Sequence, residues 1–126
     1  MALKIRALTS EDLSEVQELH EKFFSNLEFP DFYNMLNAFI IEDENEEIIL
    51  AGGVQPIGEA VLVTNKDKNR TKIGRALVEA QRCAMYTCGL FNIRELHAFV
   101  QDTKYANHLI QHGFEERKAT VLRITL

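Results

Sequence analysis

Apolar and polar positions along the chain repeat at two periods, near two and near 3.6, and the changes of period mark its elements. "LKIRAL" (3–8) alternates and predicts a first strand. Thr9-Ser10-Glu11-Asp12 then fits the capping pattern in which a hydroxyl and a carboxylate three residues on satisfy the N–H groups of a helix start. Leu13, Val16, Leu19, Phe23 and Leu27 follow at steps of three and four, so an amphipathic helix is predicted over 10–26. Pro30 sits where a short second helix, "DFYNMLN", begins. "AFIIED" (38–43) reads as a strand and the acidic "EDENEE" as a solvated turn. "EIILAGGVQPI" and "EAVLVTN" predict the next strand pair, reversed around Pro56 and Gly58; Gly52-Gly53 marks a bulge or a close backbone approach.

The second half changes period again. Ile73, Ala76, Leu77, Ala80, Ala84 and Thr87 line one stripe of a long helix that Gly89 is expected to stop. "ELHAFVQ" (95–101) predicts a strand, Asp102 a cap for the helix "TKYANHLIQH", Gly113 its end, and "FEERKATVLRITL" a closing strand. The order is β-α-(α)-β-β-β-α-β-α-β. Short links across 38–63 require antiparallel hairpins, and the strand–helix–strand passages over 59–101 and 95–126 predict crossover units. The expected fold is a mixed α/β domain, with a mostly antiparallel sheet of about six strands and helices on both faces.

Length and composition narrow this only modestly. The 126 residues suit one domain with a real core. No apolar run approaches the ~18 residues needed to span a membrane. "MALKIRALTSEDL" meets charge and a helix signal too early for a secretory leader, so a cytoplasmic location is expected. Cys83 and Cys88 stand five apart, off a shared helix face, and are expected as half-buried free thiols in a reducing compartment. A net charge of −5 disfavours nucleic acid and suits a cationic substrate or partner.

One segment breaks the acidic trend. In "NKDKNRTKIGRALVEAQ" (65–81), Lys66, Lys68, Arg70, Lys72 and Arg75 against Asp67 give +4, leaving −9 elsewhere. A helix start repels bases unless an anion occupies it. Its exposed N–H groups, with these side chains, make a phosphate site. A P-loop is excluded because no glycine lies five positions before Gly74, and a dinucleotide fingerprint because Gly74 stands alone.

The strand–loop–helix "EAVLVTNKDKNRTKIGRAL" resembles the signature segment of the acetyl-CoA-dependent N-acetyltransferase (GNAT) superfamily, and the element order resembles that fold along the whole chain. The family's Q/R-x-x-G-x-G/A pattern maps to Asn69, Arg70, Thr71, Lys72, Ile73 and Gly74, with Lys72 in place of the first glycine and Asn69 in place of glutamine or arginine. "QDTKYANHLIQHGF" is similar to the family's capped helix ending in Gly-Phe. The resemblance implies acetyl-CoA as co-substrate, its pyrophosphate held by the 68–75 segment and Arg75, with pantetheine and oxyanion contacts from the backbone of Val61, Leu62 and Val63. It also implies an amine acceptor on a small molecule or protein, in a monomer or homodimer. A polyamine, an aminoglycoside or a basic protein tail would suit the acidic remainder.

Acetyl transfer needs a base, because an amine of pKa about 10.4 is almost wholly protonated at neutral pH. Glu59 resembles the glutamate some members place at the start of the strand; the competing reading is a solvated residue beside a turn. Asp31 and Glu28 are weaker candidates. The family's thiolate-protonating tyrosine maps to Leu109; Tyr105, one turn earlier on roughly the same face, either reaches the sulfur or only packs. Asp102 stands where an asparagine contacts the coenzyme, and also where a helix cap belongs. His108 and His112 have metal-binding spacing but no third ligand, and with His20 and His97 they predict no metal. Two other classes stay open. One is a non-catalytic relative acting as an acyl-CoA sensor or protein-interaction module. The other is a ferredoxin-like or similar α+β regulatory domain whose basic loop takes a phosphorylated ligand or a nucleic-acid backbone. The absence of aromatic residues in the cluster weakens the nucleic-acid version. A sheet splayed beside 61–65 would reject this class.

Overall fold

The first strand, capped turn and helix form close to where the periodicity puts them. The computed structural model describes residues 2–126, which divide into two compact units, residues 2–56 and 57–126. In the first, β1 (Lys4–Ala7) leads to a 3-10 turn, Ser10–Asp12, and then to α1 (Leu13–Phe23). Asp12 accepts from the Thr9 N–H at 2.8 Å, as the capping pattern requires. The helix ends at Phe23, short of the expected residue 26, and Phe23 and Leu27 are exposed. The predicted second helix is only a 3-10 turn, Phe32–Asn34.

β2 (Asn37–Glu42) pairs antiparallel with β1 on one side and with β3 (Ile48–Val54) on the other, giving the order β1-β2-β3. The acidic turn between β2 and β3 closes on the Asp43 carboxylate, which accepts from the N–H groups of Asn45 and Glu47. Gly53 is a close approach: a Cβ there would collide with the Asn37 carbonyl and the Met35 sulfur. The register shift falls instead between Ile41 and Glu42. Val16, Phe32 and Ile40 form the core, with Ile40 fully buried. Burying one such side chain stabilises by about 2 kcal/mol.

The second unit comprises β4 (Gly58–Glu59), α2 (Arg70–Leu90), β5 (Leu96–His97) and α3 (Thr103–Gln111). β4 and β5 are parallel neighbours joined by α2, which bears out the crossover expected over 59–101. Gly58 lets β4 lie against the helix, since a Cβ there would press on the Cys88 sulfur. α2 runs one residue past Gly89, and Asn92 (φ 56°) takes the left-handed reversal after it. α3 ends as expected at Gly113 (φ 100°), with the Phe114 N–H donating back to the Leu109 carbonyl at 3.0 Å.

Three expectations are corrected. "EAVLVTN" does not hairpin with the preceding strand: β3 stops at Val54, Pro56 offers no N–H, and the Gly58 N–H donates to Glu95 instead. Only Leu96–His97 of "ELHAFVQ" pairs. "FEERKATVLRITL" contains no strand: a strand exists only through its ladder, and no ladder pairs this segment with β1 to β5. The described residues therefore hold five strands, as an antiparallel three-stranded sheet and a parallel pair, not one sheet of six. The class is mixed α and β. Cys83 is exposed and Cys88 half-buried, both free.

Candidate functional site

The start of α2 is built by side-chain caps. Asn65 accepts from the Asp67 N–H at 3.0 Å through its side chain and from the Lys68 N–H at 3.3 Å through its carbonyl, which folds the loop into a turn. Asn69 is the N-cap: its side-chain oxygen accepts from Lys72 N–H at 2.9 Å, and its carbonyl takes Ile73 N–H at 3.1 Å. Sequence reading treated Asn69 as a departure from a family pattern and missed this role. Its signal was the preference for Asn immediately before a helix. The Arg70 and Thr71 N–H groups remain without a protein partner among the described residues.

The helix period then divides the basic cluster between two stripes. Lys68, Lys72 and Ile73 face one groove, of about 330 Å³. Leu62, Val63, Thr64 and Asn65 form its other wall, and Ala76, Leu77 and Ala80 extend its floor. Arg70, Thr71, Gly74 and Arg75 line a second groove, of about 580 Å³, together with Val78, Glu79, His108 and His112. The sequence treated residues 68–75 as one cradle, whereas steps of three and four separate 70, 71, 74 and 75 from 72, 73, 76 and 77. Neither groove is lined by Val61 or Asn69.

Beside the first groove the parallel pair comes apart. Glu59 sits opposite His97, and the Ala60 N–H donates to the His97 carbonyl at 2.8 Å; beyond that β4 and β5 stop pairing. The N–H groups of Val61, Leu62 and Val63 make no hydrogen bond among the described residues, and Val61 and Val63 are exposed. A strip of backbone donors and acceptors thus runs along an apolar groove with two lysines on its wall. That combination suits a long ligand with amide groups and a phosphate end.

The remaining candidates are scattered. Glu59 is exposed at the end of β4 and lines neither groove. Asp102 caps α3, accepting from Lys104 N–H at 2.8 Å and Tyr105 N–H at 3.4 Å. Tyr105 is half-buried, and burial pushes its phenol above the ordinary value, so it is a neutral O–H at neutral pH. Leu109, in the tyrosine position of the resemblance, is the buried apolar side chain of the second unit. Asp31 and Glu28 are exposed in the first unit, where the Asp31 carboxylate accepts from the Asn34 amide.

The histidines are better placed than their sequence suggested. His108 and His112 stack with ring centroids 4.3 Å apart, and both line the second groove. Burial, and then the neighbouring His112, hold the His108 ring below the usual histidine value. No group of three metal-ligating side chains occurs among the described residues, and no helix among them is long and apolar enough to cross a membrane. No protein-family model matches the sequence, and no curated protein matches it.

Proposed function

We propose that the second unit binds acetyl-CoA in the groove beside Leu62 and Val63, and that the chain transfers the acetyl group to an amine as a short relative of the GNAT superfamily. The observation that carries this reading is the parting of β4 and β5 after Ala60, directly before the capped basic start of α2. It supplies a strip of free backbone leading to a phosphate-favouring helix start. The direct parallel pairing of β4 with β5 argues against a ferredoxin-like arrangement, whose β-α-β units are split by an intervening strand.

In this reading the pantetheine arm lies along 61–63, exchanging hydrogen bonds with backbone. Lys68 and Lys72 neutralise the pyrophosphate. Arg70 and Arg75 lie on the other stripe and are left outside the coenzyme's path. The neutral amine attacks the thioester carbonyl, a C–N bond forms and the C–S bond breaks. One proton leaves the nitrogen and one goes to the departing sulfur. An N–H among Val61, Leu62 and Val63 holds the developing oxyanion, Glu59 takes the amine proton through water, and the Tyr105 phenol supplies the proton to sulfur.

The burial of Leu109 favours one second reading, an acyl-CoA-binding module without turnover. Release of free coenzyme thiol from acetyl-CoA separates the two. With spermidine or a lysine-rich peptide as acceptor, the catalytic reading expects amine-dependent thiol release that falls at least about a hundredfold in Glu59→Gln, the scale of general-base catalysis. Coenzyme binding with no amine-dependent release from any acceptor would leave only the binding module.

A further inference from the structure

The groove between α2 and α3 is absorbed by none of the chemistry above. Arg70 and Arg75 line it from α2, and neither guanidinium makes an ion pair among the described residues. His108 and His112 line it from α3. The Nδ1 of His112 bonds the His108 carbonyl at 2.8 Å, so Nδ1 is the donor and Nε2 is left free. The Gln81 amide donates to the His112 carbonyl at 2.9 Å and ties the end of α3 to α2. The one acid in the lining, Glu79, has its carboxylate on Arg82 at 2.8 Å. At Gly74 nothing stands within 4 Å of where a Cβ would be, so the floor is open.

Two histidines one turn apart invite a divalent metal, but two unpaired guanidiniums in the same groove repel a cation. The same four side chains suit an oxyanion. Guanidinium groups pair with phosphate oxygens in a fixed fork, and each imidazole gains a proton more readily beside a negative charge. Unneutralised positive charge in a protein of net −5 points the same way.

We infer that the Arg70–Arg75–His108–His112 groove binds a phosphate dianion, free or as the end group of a phosphomonoester, independently of the acetyl-CoA groove. Binding strengthens as the pH falls from about 8 toward about 6, because the bound dianion draws protons onto both rings, and weakens below that as the phosphate takes up its own second proton. Groups facing these rings are Arg70, Arg75 and Glu79 from α2 and each ring from the other. Burial disfavours the charged His108 ring in the free protein, and the anion offsets that. This inference does not rest on the acetyltransferase reading.

The test is a proton NMR titration of the four histidine C2–H signals of the full chain between about pH 5 and 8, the range in which histidine charges. It is run in inorganic phosphate, in glycerol 3-phosphate, and in chloride at matched ionic strength. In either phosphate the His108 and His112 midpoints should rise by about one pH unit, the effect of a close opposite charge. His20 and His97 should not move. The stronger of the two probes identifies the source of the phosphate. The rise should vanish in Arg70→Gln/Arg75→Gln, whose surface substitutions leave the circular dichroism unchanged, and should persist in excess acetyl-CoA. Identical curves in phosphate and chloride, or a rise that survives in the double variant, would overturn the inference. Loss of the rise in acetyl-CoA would overturn the independence of the two grooves. The readout uses no enzymatic activity, so it stands whether or not acetyl-CoA is turned over.

Discussion

Single side chains decide more here than their exposure suggests. Arg6 forms a two-pronged pair with Asp12, at 2.9 and 2.8 Å, and donates through Nε to Glu42 at 3.2 Å. Glu42 is buried, and it stands opposite Lys4 in the β1–β2 register, 4.0 Å away. Arg6 thereby ties the capped turn to the sheet. Its hydrogen bonds hold the Asp12 carboxyl well below the usual carboxylate range. A folded-state value below the unfolded one means stability that is fully present above the ordinary value of 3.8 and is lost as pH falls below it. The urea midpoint of the native chain should therefore drop further, between neutral pH and about pH 2.5, than that of Asp12→Asn. Equal drops would show that the pair contributes nothing.

Among the elements, helix α2 carries the most consequence. Its interior holds Gly74, a residue that costs a helix about 0.5–1 kcal/mol relative to alanine. No neighbour requires glycine there, since a Cβ would meet open space. Gly74→Ala should raise stability by about 0.5–1 kcal/mol in urea unfolding. A loss of stability would mean that the helix packs closely at that position.

The three longer helices and the first three strands were legible in the sequence, the short second helix and the later strands much less so. The stripe through Ile73, Leu77, Ala80 and Ala84, the Asp102 cap and the Gly113 stop are all local signals, and α2 and α3 form around them. A strand instead depends on a partner chosen elsewhere in the chain. Alternation in "EAVLVTN" and "ATVLRITL" states only which side chains are apolar, and both segments remain largely without a ladder. The basic cluster was legible as charge. Its division between two grooves, and the presence of the histidines in one of them, depend on how α3 lies along α2, for which no local signal exists.

At the scale of the whole molecule, an acidic chain concentrates its positive charge around one helix start, and each stripe of that helix faces a groove of different chemistry. The lysine groove has apolar walls and free backbone; the arginine groove has imidazoles. Such a division suits two anionic ligands recognised in different ways. A coenzyme held in the first groove would have an affinity that follows Lys72 and the loop beside it. Calorimetric titration of the native chain and of Lys72→Glu with acetyl-CoA, with ATP as a control for simple polyphosphate attraction, is the most direct test. Native binding at about micromolar strength, preferring acetyl-CoA to ATP and weakened at least about tenfold in Lys72→Glu, is the result expected from losing a charge-assisted phosphate contact. Absence of binding, or equal affinity in the two proteins, would contradict the coenzyme site.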